Sequence, residues 1–158
     1  MSTAALAGST MEAPGSEAAR EFQFAYLTDI HVQPERGAAD GLTKCIRAVN
    51  ALAARPDFVV TGGDLIMDAL DVGNDRLRVQ WSLFDERWKT LEVAAHHTIG
   101  NHDVGGWSAK SILMPGDAGY GKQLFAERYG QGGTWRSFDH KGWHFILLDS
   151  IGQNPETR

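Results

Sequence analysis

Three short stretches of this 158-residue chain set metal-binding side chains at the end of an apolar run: Asp29 and His31 after FQFAYLT, Asp64 in GGD, and Asn101, His102 and Asp103 in GNHD. Carboxylate, imidazole and amide oxygen form a mixed oxygen and nitrogen donor set, which suits manganese, iron or zinc better than calcium or a thiolate-seeking ion. A carboxylate placed between two divalent cations lowers their repulsion and sets their separation, and Asp64 is the candidate bridge. Asp29 and His31 would hold one ion, and Asn101, which adds no charge, the other. Two such ions acidify a water toward neutral pH and stabilise the attacking and leaving oxygens of an in-line displacement at phosphorus. His102 is then placed to meet the leaving group or a nonbridging phosphoryl oxygen, with Asp103 orienting its ring.

These residues act together only if the elements before them deliver them to one place. FQFAYLTDIH reads as a strand buried on both faces, and if extended geometry persists to its end, Asp29 and His31 point the same way. Leu42, Cys45, Ile46, Val49, Leu52 and Ala53 form one helical face that stops at Arg55-Pro56. DFVVTG is a second strand, and Leu77, Trp81, Phe84, Trp88 and Leu91 are the stripe of a second helix. EVAAHHTI is a third strand, ending at GNHD. Asp29 and Asp64 are 35 positions apart, and Asp64 and Asn101 are 37 apart, close to one βαβ unit each. Three parallel strands then release their loops on one side, where sites in α/β sheets assemble. Beyond lie a long glycine-containing loop that is placed to overhang the site, a short helix around GKQLFAERYG, and a hairpin turning through His140, Lys141 and Gly142.

The bulk numbers bound the partners. At 42% hydrophobic content and this length, one compact domain is expected, and a formal charge of −5 argues against nucleic acid or an anionic membrane held by the overall field. A small phosphate-ester substrate fits better. The single cysteine, Cys45, excludes an intrachain disulfide and reads as a small buried apolar residue. Residues 1–21, rich in Ala, Ser, Gly and Glu, read as a flexible leader with no apolar run long enough to span a bilayer, and they assign no compartment.

Taken together, DIH at 29–31, GGD at 62–64 and GNHD at 100–103 resemble the opening motifs of the calcineurin-like metallophosphoesterases. The resemblance runs from about Phe22 to Ser150. It implies an α/β fold, a two-sheet sandwich flanked by helices, and hydrolysis of phosphomonoesters, phosphodiesters or related anhydrides with two divalent metals. It implies Asp29, His31, Asp64 and Asn101 as ligands and His102 as the catalytic histidine.

The family pattern also needs later histidines, commonly in GHxH, and this chain contains no Gly-His dipeptide. Four side chains with Asp64 counted twice give about five bonds, where two ions together take roughly eight to twelve. Residues 22–158 are therefore expected to be the N-terminal portion of such a domain, incomplete at the C-terminus and supplying the first half of the site. Sheet faces left uncovered would favour self-association. His96 and His97 alternate on a strand, so one of them is a candidate to pack beneath the site. His140 and His144 read as structural. Two other readings stay open: a non-catalytic metal-binding or interaction module that keeps a partial site, and a nuclease of the same fold. The scattered cations Arg36, Lys110, Lys122 and Arg128 argue against the second.

Overall fold

A computed structural model describes residues 21–152, so the expected leader lies outside the described residues except for Glu21. Its first part is the expected βαβαβ. β1 (Phe24–Leu27), α1 (Ala38–Asn50), β2 (Phe58–Thr61), α2 (Asn74–Trp88) and β3 (Ala94–His97) follow in order. The strands form a three-stranded parallel sheet, β1-β2-β3, in which Phe24, Phe58 and Ala94 stand in register. A single 3-10 turn, Asn101–Asp103, leaves β3. α3 (Gln123–Tyr129) then precedes an antiparallel hairpin of β4 (Arg136–His140) and β5 (Trp143–Leu147). Lys141 and Gly142 both take positive φ, 47° and 87°, as a two-residue turn matched to strand twist requires.

Alternation along the strands divides the core between two faces. Val59, Thr61 and His97 point to the helical face, where the His97 ring meets Phe84 and Trp88 of α2 and Tyr129 of α3. Leu42, Ile46, Leu77, Trp81 and Phe84 close this layer and exclude water. Phe58 points the other way, against Phe24, His96, Phe138, His140 and Phe145. The hairpin thus lies across the second face as the start of a second layer. It covers that face unevenly, leaving Phe24 45% and Tyr26 59% exposed.

The strands are shorter than the apolar runs predict. β1 ends at Leu27, and Asp29 and His31 both lie in the left-handed region, at φ 54° and 51°. Extended geometry therefore does not carry through to the site residues. A different ladder takes over: His31 N–H donates to Asp64 O at 2.9 Å, Val32 N–H to Leu65 O at 3.1 Å, and Met67 N–H to Val32 O at 2.9 Å. The backbone groups released when β1 stops are satisfied by the loop after β2.

Candidate metal centre

At the carboxyl ends of the three strands, His31, Asp64 and His102 come together, with one potential ligand atom from each lying within 4.8 Å of the others. All three are half-buried. The His31 Nε2 stands 3.5 Å from Asp64 Oδ2, and the His31 and His102 rings meet edge to face at 4.7 Å between centroids. Two ligands each about 2.1 Å from a tetrahedral ion sit roughly 3.4 Å apart, so the spacing of His31 and Asp64 suits a shared cation. An imidazole–carboxylate donor set of this kind fits zinc, manganese or iron.

The backbone packing explains the glycines. The loop after β2 touches the loop after β3 so closely that a Cβ on Gly63 would lie 2.7 Å from Gly100 Cα, and a Cβ on Gly100 would lie 2.1 Å from Asp64 Oδ1. Asp64 itself is left-handed, at φ 52°. With Asp29 and His31 that makes three non-glycine residues in a conformation costing on the order of 1 kcal/mol or more each, all of them site candidates. Their strain is held in place by the hydrogen bonds between the loops.

Asp64 has two tasks, since Oδ2 faces His31 while Oδ1 accepts the His102 N–H at 3.0 Å. His102 is gripped at two further points. Its carbonyl accepts from Ala69 N–H at 2.8 Å, and its ring Nδ1 meets the carbonyl of Met67. Because a carbonyl only accepts, the Nδ1 carries the proton and Nε2 is the nitrogen left for chemistry.

Asp29 and Asp103 have their hydrogen-bond partners outside the cluster. Asp29 lies outside the cluster of three, and its carboxylate accepts the Thr28 hydroxyl at 2.7 Å. Asp103, expected to orient the His102 ring, is 2% exposed and binds backbone instead. Its Oδ1 accepts the Leu65 and Ile66 N–H groups at 2.9 and 3.2 Å, and its Oδ2 accepts Gly100 N–H at 2.9 Å. It joins the two loops, and Met67 holds the ring. Burial pushes the Asp103 carboxyl up to about 7 against the opposing pull of those N–H groups. Asn101 opens the 3-10 turn beside His102, half-buried, and its carbonyl accepts Val104 N–H at 3.2 Å.

Neither histidine of β3 packs beneath the cluster. His97 is buried on the helical face with its Nδ1 3.2 Å from Thr61 Oγ1, and burial, with a smaller contribution from Arg136, drives its pKa down to about 3. His96 stacks on Phe138 at 3.6 Å, and burial lowers its pKa too. His140 pairs with Asp57, just before β2, and His144 with Asp139 across the hairpin, each at 2.7 Å. Gln80, bound to the loop after β2, and Met67, within that loop, carry no motif; the available signal was a polar Gln80 inside the apolar stripe of α2.

A family model described as calcineurin-like phosphoesterase matches residues 22–153. Among solved structures, the chain is similar to a dimetal phosphatase from Danio rerio, with 20% identity and a TM-score of 0.58 over 81% of this chain and 44% of that one. At that identity the likeness concerns the fold, and the chain spans less than half the length of that phosphatase. No curated protein matches.

Proposed function

Since the chain belongs to the calcineurin-like phosphoesterase family by the match over residues 22–153, we propose that it supplies the first half of a dinuclear centre for hydrolysis of phosphate monoesters or diesters. The observation that carries this reading is the convergence of His31, Asp64 and His102 at the ends of three parallel strands. Asp64 and His31 would hold a divalent cation, and Asp64 is the carboxylate that would be shared with a second. Asp29 and Asn101, on the flanking loops, would add further oxygen ligands. Bound cations supply charge neutralisation at phosphorus and an acidified water. The protein's own part is to orient. Met67 fixes the His102 ring with Nε2 free to meet the leaving group or a phosphoryl oxygen, and Asp103 ties the Asp64 loop to the His102 turn.

The nuclease reading loses support from the cations. Lys122 is committed to Asp149 at 2.6 Å and Arg128 to Asp85 at 3.4 Å, so these two do not line a strand-binding groove. The reading as a metal-binding module keeps one argument, that the three gathered residues suffice for a single ion.

Manganese-dependent hydrolysis of bis(p-nitrophenyl) phosphate, run beside calorimetric titration of the metal, separates these readings. Asp64→Asn is expected to abolish both turnover and tight binding, whereas His140→Ala leaves them unchanged. Equal loss in the two variants rejects the site. One tight ion with no turnover assigns the binding module.

A further inference from the structure

The buried stripe of α2 that holds Leu77, Trp81 and Phe84 also holds Gln80, an amide with no exposed surface. Burying such a group costs free energy unless its donor and acceptor are matched. A single residue of the loop after β2 matches both: Gln80 Oε1 accepts the Asp68 N–H at 3.0 Å, and Nε2 donates to the Asp68 carbonyl at 2.7 Å. The Asp68 N–H and the Met67 carbonyl belong to one planar peptide, and in a trans peptide they point in opposite directions. Gln80 therefore grips one end of the peptide whose other end receives the His102 Nδ1. The preceding peptide is pinned by Met67 N–H on Val32 O and the following one by Ala69 N–H on His102 O together with Gln80 Nε2 on the Asp68 carbonyl, so Gln80 holds the N–H end of the middle peptide and the plane beside it.

We infer that Gln80 is a positioning residue for His102, fixing the Met67–Asp68 peptide plane and through it the orientation and tautomer of the imidazole. The side chain is remote from the motif residues in sequence and reaches the ring through one rigid unit. A polarised N–H also strengthens the carbonyl as an acceptor, because hydrogen bonds in series reinforce one another. The catalytic consequence rests on the reading that His102 acts on substrate. The tautomer is a property of the chain itself.

The test uses long-range 1H–15N correlation spectra of the full chain near pH 8, with the His102 ring assigned from His102→Gln. The wild type is expected to show the Nδ1–H tautomer. Gln80→Met keeps length and apolar volume but offers Asp68 no acceptor, and is expected to give mixed tautomers. Gln80→Glu retains an acceptor for the Asp68 N–H and is expected to keep the Nδ1–H form. Where the chain turns over substrate, the Met variant should lower kcat about 10 to 100-fold with KM little changed, the scale seen when an orienting partner is removed. Unchanged tautomers in Gln80→Met, or equal scrambling in the Met and Glu variants of a folded chain, overturn the inference. Absence of hydrolysis in the wild type beside the expected tautomers instead rejects the catalytic reading and leaves the positioning role standing.

Discussion

From Leu65 to Asp71 every backbone N–H has an acceptor: Asp103 twice, then Val32, Gln80, His102, and Asp68 twice. The β4–β5 hairpin is attached to the same sheet largely by rings, with Phe138 and Phe145 on Phe58, and among the described residues the Asp57 pairing with His140 and Lys141 adds charge at its turn. Directional bonds set a position closely and fail abruptly when a partner is lost. Ring contacts are less directional than hydrogen bonds and tolerate more adjustment. The molecule uses the first kind where His31, Asp64 and His102 converge and the second where one layer covers another.

The contrast can be broken most forcefully at Asp103. Asp103→Ala leaves the N–H groups of Leu65, Ile66 and Gly100 without their acceptor in a buried junction, and at about 1–3 kcal/mol per orphaned group the loss is on the order of 3–9 kcal/mol. That is a large share of the stability of a domain this size. Urea unfolding measures it. A loss below about 1 kcal/mol would mean that water replaces the carboxylate, and the loops would not be held as described.

The chain intervals and apolar stripes make the parallel βαβαβ core and the hairpin legible in the sequence, because burial imposes periods of 2 and 3.6 that survive there. The convergence of His31, Asp64 and His102 followed from that topology. The finer placement did not. Nothing in FQFAYLTDIH announces that the strand stops at Leu27, since the left-handed turns at Asp29 and His31 are imposed by partner carbonyls 34 and 33 positions away, on Gly63 and Asp64. The duties of Asp103 and Gln80 were hidden for the same reason. Each binds backbone atoms, which leave no mark on the identity of the residues they belong to.

A medium effect sharpens the comparison on the helical face. His97 is held neutral by burial, with its pKa near 3 in the fold against an ordinary 6.5. Between those values the unfolded chain binds a proton that the folded chain does not, so stability is full above pH 6.5 and falls as pH drops toward 3. From pH 7 to pH 5 the loss from this residue is about 2 kcal/mol, and His96, shifted the same way, adds to it. Urea midpoints at the two pH values should show the slope, and His97→Phe, placed among Phe84, Trp88 and Tyr129, should flatten most of it. An unaltered slope in that variant would place the acid-sensitive group elsewhere.

The smallest effect belongs to the outer face of the hairpin. Ile146 stands opposite Ser137 on the side turned away from the sheet and is 60% exposed, while its neighbours Phe145 and Leu147 point inward. Ile146→Thr keeps the β-branched shape that suits a strand and removes apolar surface that contributes little packing. Its cost should stay within about 0.5 kcal/mol, an order of magnitude below that of Asp103→Ala. Thermal unfolding of the two variants side by side reads the ratio directly. If Ile146→Thr cost about 2 kcal/mol or more, the outer face would be packed against something, and the hairpin would have to be regarded as an inner layer with contacts on both sides.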